Sequence, residues 1–169
     1  MKKPLLLLDG DGPLNPYAAQ PERRPEGYTT HRMRPGGWLG RKPLRVWLDP
    51  AHGGELRALA EAYELVWATT WKGEANHWIA PRLGLPELPF VDWPSMHGKA
   101  PRGTFWKTRY ILEYAAGRPF AWVDDDITSY DHAYVEHHRS AAALLLRVDP
   151  RLGLLRPDFD ALAEWAAAL

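Results

Sequence analysis

Residues 5–16 read LLLLDGDGPLNP: four leucines, then Asp9 and Asp11 one residue apart, then a turn built from Gly, Pro and Asn. An apolar run this short, closed by turn formers, predicts a buried strand that surfaces where the acids begin. Both carboxylates then stand at its C-terminal tip.

Working outward, further short apolar stretches at 64–68, 88–91, 120–123 and 143–148 read as strands. Helical spacing lies between and after them. Leu56, Leu59, Ala60 and Tyr63 follow i, i+3, i+4, i+7, and Phe159, Leu162, Ala163 and Ala166 repeat the pattern near the C-terminus. Residues 74–83 and 106–116 are expected to be helices as well. Strands alternating with helices imply an α/β fold, with a mostly parallel sheet covered by helices on both faces. The stretch 13–50 breaks the alternation. It is dense in Pro and Gly, with short strands expected near 28–33 and 44–48, and reads as a loop plus β-hairpin inserted after the first strand, able to act as a flap.

The totals fit one domain over 1–169. The chain has 169 residues with 21 basic and 21 acidic side chains, so no global charge favours nucleic acid or membrane. Between residues 22 and 45, however, Arg23, Arg24, Arg32, Arg34, Arg41, Lys42 and Arg45 face only Glu22 and Glu26. That local excess either guides a polyanionic substrate or is an ordinary solvated loop. Cysteine is absent, which excludes disulfides and thiolate chemistry. The apolar run at 4–8 is too short for a signal-peptide core, and a cytoplasmic protein without membrane contact is expected.

In an open α/β sheet, ligands bind beyond the carboxyl ends of the strands. Asp9 and Asp11 stand at the tip of the first. "LVWATTW" ends in Thr69 and Thr70, and "FAWVDDD" ends in Asp124, Asp125 and Asp126, with Lys99 and Lys107 shortly before. Hard oxygen ligands of this kind suit Mg²⁺, which takes one or two carboxylates and accepts phosphate oxygens. An acidic cluster, a hydroxyl and a lysine on one rim are the parts of a phosphoryl-transfer site.

In these motifs and their order the chain resembles the haloacid dehalogenase (HAD) superfamily of aspartate-dependent phosphatases. Asp9, Asp11, Gly12, Leu14 and Asn15 resemble its first motif, Thr69 the second, Lys107 the third and "WVDDD" the acidic fourth. The resemblance implies a Rossmann-like HAD fold with Asp9 as nucleophile, Asp11 as general acid and base, Thr69 as a phosphate ligand and Lys107 stabilising charge. Mg²⁺ would be held by Asp9, Asp124, Asp125 and the backbone carbonyl of Asp11. Gly12, Asn15 and Thr70 are expected at the substrate. Lys99 is the alternative lysine and Asp126 the alternative metal carboxylate. The combination of "DGDGPLNP", "WATTW", "ANHWIAPRLGLP" and "WVDDD" is similar to small HAD domains of bacterial RNA-repair proteins, which implies phosphomonoester hydrolysis on a nucleotide or nucleic-acid end.

Two readings compete with the phosphatase. One is a binding module that holds Mg²⁺ and phosphate without turnover. The other is a phospho-accepting signalling domain, whose phosphorylated Asp lies on a later strand than its acidic pair. A calcium loop fails because the sixth position from Asp9 is Leu14 rather than Gly. A helix starting near Thr128 would take Asp125 or Asp126 as its cap. Trp67 and Trp122 are expected in the core, and Trp71, Trp78 and Trp106 either pack between helix and sheet or stack on a substrate base. The seven histidines show no helical zinc spacing and are read as non-ligands.

Overall fold

Strands and helices alternate in the computed structural model, which describes residues 1–169. The four leucines form β1 (Leu5–Leu8), wholly buried. Such a run needs cover on both faces, and it obtains that at the centre of a parallel sheet. β1 pairs on one side with β4 (Glu64–Trp67) and on the other with β5 (Phe120–Asp124), and β6 (Ala143–Arg147) extends the sheet beyond β5. The order is β4-β1-β5-β6.

Alternation along the strands divides the core. Leu6, Leu8, Leu65, Trp67, Ala121 and Val123 pack on one face against α1 (Ala51–Leu59), α2 (Glu74–Trp78), α3 (Ala80–Leu83) and α6 (Arg156–Ala167). Leu5, Leu7, Val66, Phe120 and Trp122 pack on the other against α4 (Thr108–Ala115) and α5 (Ser129–His138). Trp67 and Trp122 are fully buried, as core residues should be.

The inserted hairpin is present as β2 (Thr29–Met33) and β3 (Leu44–Leu48), antiparallel and separate from the main sheet. Met33, Val46 and Leu48 tuck one of its faces into the first core. Asn15 fixes its position, because the Asn15 side-chain oxygen accepts from the Trp47 backbone N–H at 3.0 Å.

Three expectations need correction. Residues 88–91 make a single bridge, Phe90 to Trp67, rather than a strand. Pro89 lies inside the segment and Pro86 just before it, and neither can donate to a ladder. The stretch 74–83 is two short helices, broken at Ile79 (φ −100°, ψ −54°), two residues before Pro81. The cap of α5 is Thr128, not Asp125 or Asp126, with Asp131 accepting from the Thr128 backbone N–H at 2.7 Å.

Candidate active site

The carboxyl ends of β1, β4 and β5 meet because these three strands are neighbours in one parallel sheet. Asp9 follows β1 directly and Asp124 ends β5. Asp9, Asp124 and Asp125 are all buried, with carboxylate oxygens within 4.8 Å of one another. Burial pushes the Asp9 carboxyl well above the usual range, opposed by Lys107 and reinforced by the charges of Asp124, Asp11 and Asp125. Burial raises Asp124 as well, with Lys107 pulling it down.

Lys107 is the internal counter-charge. It is 2% exposed at the start of α4, and its Nζ donates to Asp124 Oδ2 at 2.8 Å and to the Ala68 carbonyl at 2.9 Å, and lies 3.3 Å from Asp9 Oδ1. Burial alone would lower its pKa, but Asp9 and Asp124 more than reverse this and hold the ammonium charged. Lys99 is exposed in the loop before α4. One ammonium among three clustered buried carboxylates leaves negative charge without compensation. That donor set, all hard oxygen, fits a divalent cation such as Mg²⁺. Asp126 is exposed and lines the same cavity without joining the cluster, and its N–H donates to Asp124 Oδ1 at 3.0 Å.

Asp11 stands apart from the three. Its carboxylate accepts from Asn15 Nδ2 at 2.9 Å and from Trp71 Nε1 at 3.0 Å, which holds it at the cavity rather than in the cluster. The buried Asn15 amide is thereby committed to Asp11 and the hairpin. Gly12 adopts φ +98°, and a Cβ there would meet Asp125 Cγ at 2.7 Å, so glycine lets the turn lie against that carboxylate. Thr69 is buried, its Oγ1 accepting from the Trp71 N–H at 3.2 Å, while the exposed hydroxyl lining the cavity is that of Thr70.

The cavity above these groups holds about 400 Å³ and brings Tyr17, Arg45, Phe105 and Trp106 to the acids. Tyr17 donates its hydroxyl to Asp125 Oδ2 at 2.6 Å. Tyr17 has no sequence signal, since it sits in an irregular turn after the first motif. Arg45 was visible only as one cation of a basic insert. Trp106 stacks on His97 at 3.7 Å between ring centroids and lines the cavity, so it serves both packing and the site.

No curated protein and no solved structure matches the chain. The model of the HAD domain in Swiss Army Knife RNA repair proteins matches residues 5–159, a span that takes in all four acid, hydroxyl and lysine motifs just described. The buried cluster of Asp9, Asp124 and Asp125 is the candidate for a HAD catalytic site, and the chain belongs to that family.

Proposed function

We propose that this chain is a Mg²⁺-dependent phosphomonoesterase that works through a phosphoryl group on Asp9 and acts on nucleotides or nucleic-acid ends. The observation that carries the reading is the cluster of Asp9, Asp124 and Asp125 around Lys107, at the carboxyl ends of β1 and β5 in a chain of HAD family membership. In this reading residues 1–169 form one catalytic domain, and the segment 13–50 is its substrate-selecting flap.

Asp9, Asp124 and Asp125, with the Asp11 backbone carbonyl, would hold the cation, which supplies positive charge to the phosphoryl oxygens when bound. An Asp9 carboxylate oxygen attacks phosphorus as the ester P–O bond breaks, and Asp11 gives a proton to the departing oxygen. Asp11 then takes a proton from water, whose oxygen attacks phosphorus; the bond to Asp9 breaks, releasing inorganic phosphate and restoring the carboxylate. Lys107 opposes the rise that burial imposes on the Asp9 pKa and aims the carboxylate through its contact with Oδ1. The Thr70 hydroxyl, which lines the cavity, and the buried Thr69 hydroxyl are the side-chain donors available to the phosphoryl oxygens, the Gly10 and Gly12 N–H groups being taken by Asp9 Oδ1 and the Asn15 carbonyl. Asn15 and Trp71 orient Asp11 by donating to its two oxygens.

The test is phosphate release with Mg²⁺ from sugar phosphates, mononucleotides and RNA or DNA ends bearing 5′ or 3′ phosphate. Turnover on nucleotides or strand ends that disappears in Asp9→Asn is expected. Turnover on sugar phosphates alone would discard the nucleic-acid substrate, and none at all would leave a binding module.

A further inference from the structure

The outer face of the hairpin carries cations that no acid partners. Arg32 is registered opposite Arg45, and Thr30 opposite Trp47. Side chains alternate along a strand, so these four share one face, on which Trp47 is only 3% exposed, while Met33, Val46 and Leu48 pack into the core on the other. The Arg45 guanidinium lies 3.7 Å from the Trp47 ring centroid. Trp47 Nε1 donates to Thr30 Oγ1 at 3.1 Å, and the same oxygen accepts from Arg24 at 2.9 Å.

None of Arg24, Arg32 and Arg45 lies within ion-pair distance of a carboxylate. Like charges directly opposite on antiparallel strands destabilise the pairing, so hairpin stability does not explain Arg32 and Arg45. The face also runs into the active-site cavity. Arg45 and Lys107 are the two cations lining it, and Lys107 is engaged by Asp9 and Asp124. Arg45 is therefore the cation left for a second anionic group of the substrate. Its planar fork, held by stacking on Trp47, suits a phosphate oxygen pair. Phe105 and Trp106, half-buried in the cavity wall, offer aromatic surface to an unpaired base.

We propose that this face binds the backbone of a single-stranded nucleic acid whose terminal phosphate enters the cavity. Arg45 takes the next phosphate inward, and Arg32 and Arg24 take those beyond. The proposal rests on the phosphatase reading above and narrows its substrate to strand ends rather than mononucleotides.

The experiment compares kcat/KM for mono-, di- and trinucleotides of one base sequence, in 5′- and 3′-phosphate series, across a range of salt. For the favoured series kcat/KM rises from mono- to trinucleotide by about tenfold or more, and the gain shrinks as salt rises. Arg45→Ala loses the gain already at the dinucleotide. Arg32→Ala loses it between di- and trinucleotide and flattens the trinucleotide log–log salt slope by about 0.7, the figure for one single-strand phosphate contact. Equal kcat/KM at all lengths, or a gain untouched in both variants, overturns the proposal. If no substrate releases phosphate, the phosphatase reading fails, and tryptophan-fluorescence titration of Asp9→Asn with mono- and trinucleotide then decides on the face alone. A salt-sensitive preference for trinucleotide that Arg32→Ala removes upholds it, and equal affinities overturn it.

Discussion

Lys107 shows how a single side chain joins stability to chemistry. It is the buried cation facing Asp9 and Asp124, and removing one partner of a buried ionic group leaves the others uncompensated. Lys107→Met is expected to lower unfolding free energy by about 3–5 kcal/mol in denaturant titration without Mg²⁺, and to abolish phosphate release. The residue was legible in the sequence because it precedes a helix shortly before the acidic strand, and its choice over Lys99 follows from burial. The arrangement around Asp11 was not legible: its hold by Trp71 spans 60 residues and depends on how the loops fold. His52 gives a second residue-scale prediction. Burial holds its imidazole below the ordinary 6.5, although Asp49, the Leu154 carbonyl and Glu55 pull it upward. A histidine kept neutral in the fold stabilises fully above the unfolded pKa, and that contribution is lost as pH falls through it. From about pH 7.5 to about pH 5.5 the melting temperature of the native chain should therefore fall more steeply than that of His52→Gln.

Among the elements, periodicity revealed those long enough to carry it. β1, β4, β5 and β6 and helices α4 and α6 stand where the sequence puts them, while α1 lies earlier than its apolar spacing, ending at Leu59 with Tyr63 beyond it. The failures have local causes: prolines deny the 88–91 segment a ladder, and Ile79 with Pro81 splits the 74–83 helix. Cap identity at α5 was missed because Asp131 lies inside the helix, where it also accepts from the Phe105 N–H at 2.7 Å and Thr108 Oγ1 at 2.6 Å. Gly53 marks a close approach between helices. A Cβ there would lie 1.8 Å from the Leu83 carbonyl oxygen, so α1 and the end of α3 touch only because the residue is glycine. Gly53→Ala, which would be mildly favourable in an isolated helix, should instead cost about 1–3 kcal/mol in denaturant titration by forcing α1 from α3. A neutral or stabilising result would mean that the two helices part easily.

At the scale of the molecule, the sheet order places the carboxyl ends of β1, β4 and β5 together, and the hairpin covers one side of the resulting cavity. No helix of the chain is long and apolar enough to cross a membrane. The fold class was readable from the alternation of strands and helices, and the acidic motifs from their positions at strand ends. The hairpin's docking was not, since it depends on hydrogen bonds to distant segments, Trp47 N–H to Asn15 and Gly36 N–H to Glu74, and on side chains contributed from both of its strands. An uncompensated acidic cluster also makes stability respond to divalent cations. Mg²⁺ at about a hundred times its dissociation constant should add about 2.7 kcal/mol, read as a rise in melting temperature that is lost in Asp125→Asn.

The central claim is that Asp9 carries the phosphoryl group, and the most direct measurement is acid quenching of the chain during turnover of a strand-end substrate with Mg²⁺, followed by peptide mass mapping. The account predicts a transient phosphoryl adduct on the Asp9 peptide, absent in Asp9→Asn and accumulating when Asp11 is replaced by Asn, because attack by water then lacks its base. Phosphate release that persists in Asp9→Asn, or an adduct on a residue other than Asp9, would contradict it.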